Sequence, residues 1–162
     1  MTVVSTTKDT EALSLVIVAE LAAPPEKVWT IWSDPRKLER WWGPPEWPAT
    51  FVDHDFRTGG NASYYMTGPD GSKAHGWWTF VSLDEPRSLT FEDGFADDSG
   101  RPSDALPTIH VAVGIEAFDG GTRMTVTSRF DTLEDLEKIA GMGMAEGMTE
   151  AMGQIDAILA ES

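Results

Sequence analysis

Apolar and polar positions alternate along most of this chain, and the alternation gives way to helical spacing only near the start and at the end. Residues 13–21, Leu-Ser-Leu-Val-Ile-Val-Ala-Glu-Leu, read as a strand by their β-branched content. Pro24-Pro25 stops it, and Pro25 suits the first turn of a helix whose Glu26 favours the positive end of the dipole. Val28, Trp29, Ile31 and Trp32 make the apolar side of that helix, with Trp29 and Trp32 at the spacing of core residues. Asp34-Pro35 breaks it and starts a second short helix over 36–40. Strands are predicted over 50–56, 61–67, 73–83, 87–93, 108–118 and 122–130. Gly68-Pro69-Asp70-Gly71 and Asp119-Gly120-Gly121 turn successive strands back on each other, which makes most of the sheet antiparallel. Residues 94–106 form the longest unpatterned loop, of a length often functional or mobile. Residues 1–11 are polar and unpatterned and are expected to be a frayed tail before a single domain over 12–162.

The period changes after Phe130. Leu133, Leu136, Ala140, Met144, Met148, Met152, Ile155 and Leu159 share one face of a predicted helix over 131–160, about 45 Å long. Asp131, with Glu134 three residues on, has the spacing of a capping box. Such a helix has to lie against something large, and the strands upstream supply a sheet. Gly141, Gly143, Gly147 and Gly153 each cost about 1 kcal/mol relative to Ala in a helix interior. Two accounts of them are open: close approach of the backbone to the sheet, or a bend that carries Met144 and Met148 over a cavity. The order of elements predicts an α+β fold with about seven strands in an antiparallel sheet, two short helices after the first strand and the long helix across the concave face.

Composition narrows the partners. At 162 residues and 41% hydrophobic the chain is long enough for one real core. Its formal charge of −15, from 27 acidic and 12 basic residues, repels phosphate backbones, so nucleic acid is not an expected partner. No apolar run is long enough to span a bilayer, and the start lacks a signal pattern, so a cytoplasmic location is expected. The absence of cysteine removes disulfides and thiolate chemistry. Five of the seven tryptophans lie between Trp29 and Trp47, which asks for a thick aromatic core or an aromatic-lined pocket. Trp41 and Trp42 stand beside a proline-rich stretch, Gly43–Pro48, and are expected to line its mouth.

The order of elements, with Pro24-Pro25-Glu26-Lys27-Val28-Trp29, Trp41-Trp42-Gly43-Pro44, Arg57-Thr58-Gly59-Gly60, Gly68-Pro69-Asp70-Gly71 and Pro86-Arg87-Ser88-Leu89, resembles the START-like superfamily over residues 13–160. Within it the nearest branch is the one named after the activator of heat-shock protein 90 ATPase. The resemblance implies a helix-grip fold, in which a curved antiparallel sheet wraps the C-terminal helix around a cavity. It also implies inward positions at Tyr64, Met66, Leu89, Phe91, Val111, Val113, Met124 and Val126. Asp93 and Met148 depart from the pattern the resemblance implies, where a tryptophan and an aromatic are common, and both changes would enlarge or polarise the cavity. The expected ligand-binding residues are Trp32, Trp41, Trp42, Tyr64, Met66, Trp78, Phe91, Asp93, Phe95, Val111, Met144 and Met148. A bulge in 73–83 would exchange Trp77 and Trp78 between faces.

Acid and base candidates are His54, His75, Asp93 and His110. Strand parity puts His110 on the surface, out of phase with Ile109 and Val111. His54, between Asp53 and Asp55, suggests a metal at first sight, yet successive strand positions point to opposite faces, so no metal site is expected. Asp93 falls at an inward position beside Phe91 and Phe95, where desolvation would raise its pKa; the alternative is a wet strand end. No nucleophile triad, phosphate loop or dinucleotide fingerprint is present, so neither catalytic residues nor a cofactor are expected. Three functions follow: a binder of a small apolar or aromatic molecule, a cofactor-independent cyclase-like enzyme on a polyketide or cyclic substrate, and a co-chaperone-like module acting on heat-shock protein 90. A monomer and a homodimer are both compatible with the sequence.

Overall fold

The computed structural model describes residues 3–161. Nine strands form one antiparallel sheet. In chain order they are β1 (Val3–Asp9), β2 (Ser14–Leu21), β3 (Ala49–His54), β4 (Asn61–Thr67), β5 (Lys73–Asp84), β6 (Ser88–Ala96), β7 (Pro102–Ser103), β8 (Ile109–Phe118) and β9 (Gly121–Arg129). The sheet runs β1-β2-β9-β8-β6-β5-β4-β3, with the short β7 paired to β6. Helices α1 (Pro25–Ser33) and α2 (Pro35–Leu38) follow β2, and α3 (Leu133–Gly141), α4 (Met144–Met152) and α5 (Ile155–Leu159) end the chain.

Two strands go beyond the pattern in the sequence. Val3–Asp9, expected to be part of a tail, pairs with β2 at the sheet's edge. Almost all of it is exposed, so backbone hydrogen bonding rather than a buried face holds it, and no apolar alternation announces it. Met1 and Thr2 of the expected tail, like Ser162 at the other end, lie outside the described residues. The expected loop over 94–106 is shortened from both sides, because β6 continues to Ala96 and β7 pairs Ser103 with Phe95.

Elsewhere burial follows parity. Leu15, Ile17, Ala19 and Leu21 of β2, and Ile109, Val111, Val113 and Ile115 of β8, turn into the core. Trp78 points inward and is fully buried, while Trp77 faces out. The register shift in β5 lies beyond them, between Phe80 and Ser82. In α1, Pro25 takes an early helical position and Val28, Trp29, Ile31 and Trp32 are buried. Asp34 caps α2 by accepting a hydrogen bond from the Arg36 N–H.

The C-terminal helix exists as three segments rather than one. Met142 and Gly143 close α3 through N–H bonds to the Ile139 and Ala140 carbonyls, and the Gly147 N–H then bonds Gly143 to open α4. Gly143 sits at φ +88°, a left-handed conformation that carries the break. The cap of α3 is Thr132, which accepts from the Asp135 N–H at 3.0 Å, and not Asp131, which takes part in a contact with His110 instead. Leu136, Ile139, Met152, Ile155, Ile158 and Leu159 join the core built on the sheet's inner face.

The space around the glycines bears on the first of the two accounts. A Cβ at Gly141 or Gly147 would meet nothing within 4 Å, and at Gly143 only the Glu146 carboxylate at 3.8 Å. Close packing against strands is therefore not the role of these three; at Gly153 an added Cβ would lie 3.3 Å from the Glu150 carbonyl, a helix atom and not a strand. Gly141→Ala should stabilise the protein by up to about 1 kcal/mol, whereas Gly143→Ala should destabilise it by about 1–2 kcal/mol through its left-handed backbone. Denaturant melts of the two variants check this. Shifts of the same sign and size would mean that the helix runs unbroken.

Candidate ligand pocket

Under the α3–α4 break lies an open pocket of about 300 Å³. The sheet contributes Tyr64 and Met66 from β4, Asp93 and Phe95 from β6 and Ile109 from β8; Trp42 and Pro44 close one side. The helices contribute Ile139, Met142, Gly143, Met144, Gly147, Met148 and Ala151. Its volume is at the small end of what ligand sites usually have.

Of the residues expected to contact a ligand, Trp42, Tyr64, Met66, Asp93, Phe95, Met144 and Met148 line this pocket. Trp32, Trp41, Trp78, Phe91 and Val111 do not. They are buried beneath it as core. Trp32 meets Trp41 edge-on at 4.8 Å between centroids, and Trp78 stacks on Phe91 at 4.1 Å. Trp41, expected at the mouth, is fully buried and donates its indole N–H to the Ile31 carbonyl at 3.0 Å. An inward position thus has two fates, and which one applies depends on how neighbouring rings fill the space. That is a property of the assembled core rather than of any strand's period.

At the sheet side of the pocket the Tyr64 hydroxyl donates to Asp93 Oδ1 at 2.9 Å. The position of that hydroxyl depends on Gly76. Gly76 is the cross-strand partner of Tyr64, and a Cβ there would lie 2.4 Å from the ring's Cζ. The tyrosine ring can lie across the sheet towards β6 because β5 offers no side chain at this point. Glycine inside a strand pattern was the available signal for such a close approach, and sequence reading passed over it.

Burial pushes the Asp93 carboxyl up to about 7, against the opposing influence of the Tyr64 hydroxyl and the Trp78 indole N–H. The residue as a whole keeps intermediate exposure at the wall of the open pocket. Asp93 does not stand at the end of its strand, since β6 runs on to Ala96, and it keeps access to water through the pocket's opening. Burial first, and the nearby Asp93 charge second, push Tyr64 well above its ordinary value. The buried indole N–H groups of Trp42 and Trp78 lie near the Tyr64–Asp93 pair without reaching hydrogen-bond geometry among the described residues, so their influence on it is electrostatic.

The other acid–base candidates lie elsewhere. His110 is on the outer face between Glu92 and Asp131. His75 is beside Tyr65 on the outer side of β5. His54 bonds the Trp32 carbonyl at 3.0 Å and stacks on Phe56, and burial lowers its pKa. Its neighbours are engaged separately, Asp53 by Ser63 and Asp55 by Arg57. Among the described residues no three potential ligands come together for a metal, and no helix is long and apolar enough to cross a membrane.

A curved antiparallel sheet gripping C-terminal helices, with a pocket between them, defines the helix-grip class of α+β proteins. The chain belongs to the family described as Activator of Hsp90 ATPase homolog 1-like protein, whose sequence profile matches residues 22–160. It is similar to a protein of Arthrobacter aurescens solved by NMR: 57% identical, TM-score 0.95, covering 99% of this chain and 94% of that one. A crystal structure from Mycobacterium smegmatis is 45% identical with a TM-score of 0.91, covering 99% and 98%. An AHSA1 protein from Silicibacter pomeroyi is 25% identical with a TM-score of 0.74, covering 91% and 97%. None of the curated proteins matches the chain.

Proposed function

We propose that this protein binds a small apolar or aromatic molecule in the pocket beneath the α3–α4 break. The observation that carries the reading is the composition of the wall: methionine, aromatic and aliphatic side chains surround the single hydrogen-bonded pair of Tyr64 and Asp93. Ligand sites commonly combine an apolar wall with a few polar groups that fix orientation. Met142, Met144 and Met148 are unbranched and polarizable, which suits a rim that adapts to its contents. The same acid favours a second reading, a cyclase-like enzyme with Asp93 as proton donor, because its pKa lies near neutrality. That reading needs a substrate whose turnover falls by orders of magnitude in Asp93→Asn.

Gly147→Leu tests the binding reading. The site is in the interior of α4, faces the pocket and has no atom within 4 Å of an added Cβ. The new side chain should occupy the cavity while helix propensity improves by up to about 1 kcal/mol. Native mass spectrometry of the wild-type protein should detect a co-purifying small molecule that this variant lacks. A variant that folds as stably as wild type and carries the same adduct would place the ligand elsewhere.

A further inference from the structure

Asp93 is the only formally charged side chain on the wall of the pocket among the described residues. Tyr64 from β4 bonds one of its oxygens, and Trp78 from β5 lies alongside. The facing surfaces of β8 and the helices bring Ile109, Ile139, Met144 and Met148, none of them ionisable. Tyr64 is therefore the one other titratable group against it. Among the described residues no lysine, arginine or histidine pairs with this carboxyl, whereas some carboxylates at the surface do have cations: Arg40 pairs with Glu161, Arg57 with Asp55 and Arg87 with Asp84. Many surface carboxylates lack a cation too, but bulk water and salt screen them, whereas at the wall of an apolar pocket an unpaired charge interacts more strongly.

We infer that the pocket takes an organic cation, a protonated amine on an aromatic or aliphatic body, with its charge against Asp93 and its body against the Met and aromatic wall. The inference rests on the ligand-binding reading and adds the sign of the ligand's charge. A protonated amine donates hydrogen bonds to the carboxylate while Tyr64 keeps its own. Trp42 and Phe95 offer ring faces and edges beside the same carboxyl, and ring faces attract cations. The formal charge of −15 raises the local concentration of cations and repels anions over the whole surface. An anionic ligand would meet the only charge in the pocket, among the described residues, with the wrong sign, and a neutral one would gain nothing from the ionised carboxyl that a cation gains.

Proton linkage gives the inference a second signature. Binding a cation favours the ionised carboxyl, so a proton leaves Asp93 as the amine arrives, and affinity rises with pH through the titration near 7. The ionised fraction of such a group grows about tenfold from pH 6 to pH 8. A neutral acceptor bonded by the protonated acid would show the reverse trend.

The probes are 2-phenylethylamine, 2-phenylethanol and phenylacetate, near-isosteric and respectively cationic, neutral and anionic, titrated calorimetrically into the intact chain at pH 6 and pH 8. The amine should bind at least about tenfold more tightly than the alcohol at pH 8, gain about tenfold between the two pH values, and release a proton, read from paired buffers of different ionisation enthalpy. Phenylacetate should bind most weakly. In Asp93→Asn the amine should lose both its preference and its pH dependence; the wild-type comparison stands even if that variant folds poorly. Binding of the alcohol with no preference for the amine, or amine affinity that is flat or falling with pH, overturns the cation inference and leaves the ligand-binding reading intact. Failure of all three to bind at millimolar concentration overturns both.

Discussion

Trp32→Ala should lower the unfolding free energy by about 3–5 kcal/mol, the range for removing a large aromatic side chain from a core. Trp32 is fully buried at the centre of the aromatic cluster, 4.8 Å from Trp41, 5.9 Å from Phe91 and 6.1 Å from both Trp42 and Trp78, centroid to centroid. Its indole N–H points at the Met124 sulfur, 3.4 Å away. Flat, rigid rings that already contact one another are poorly placed to collapse into the space that alanine would leave. The loss is a large part of the roughly 5–15 kcal/mol that holds a domain of this kind folded. Urea denaturation of the variant checks it. A cost under about 1 kcal/mol would mean that Trp32 borders a void rather than filling the core.

Asp93→Asn should remove a fall in stability that the wild-type protein undergoes between about pH 4 and pH 7. The sign follows from the two titrations. The carboxyl's ordinary value is 3.8, and in the folded protein it is held up to about 7, so across that interval the native state binds more protons than the unfolded one. Stability from this group is fully present below the unfolded value and is lost as pH rises through the folded one. The loss is about 2–4 kcal/mol, allowing for the pocket's access to water. Asparagine carries no charge at any pH and can still accept the Tyr64 hydrogen bond. Denaturant melts at pH 4, 5.5 and 8 should give a steeper decline for wild type than for the variant, which should be the more stable of the two at pH 8. Surface acids contribute a decline of their own through mutual repulsion, and the difference between the two proteins cancels it. Parallel curves would show that the carboxyl titrates as an ordinary surface acid.

The architecture was legible because most of the chain is either half-buried strand or amphipathic helix, whose periods survive in the sequence. Where burial does not impose a period, reading failed. Val3–Asp9 is strand by virtue of its pairing with β2, and its exposed side chains record nothing of that. The helical stripe runs on undisturbed from Ala140 to Met144, four residues apart, although the backbone reverses its handedness at Gly143 between them. The stripe reports which side is buried, and the break is a matter of one φ angle. At the pocket, Trp42, Tyr64, Met66, Asp93, Phe95, Met144 and Met148 were legible as inward positions and line its wall, since an inward Asp in an apolar strand is conspicuous. Trp32, Trp41, Trp78, Phe91 and Val111 were placed one layer too high, because inwardness is written in the sequence and depth is not. Gly76 was missed although it sets where the Tyr64 hydroxyl reaches.

The separation of floor from rim bears on how members of such a family diverge. The floor consists of rings that also hold the sheet to α1, so a change there is a change in folding. The rim belongs to a short helix segment entered through Gly143, and its Met144, Gly147 and Met148 are only partly buried. Drift can exchange those side chains at little cost to the scaffold, so descendants of one ancestor can differ in the shape and chemistry of this opening while their backbones stay superimposable.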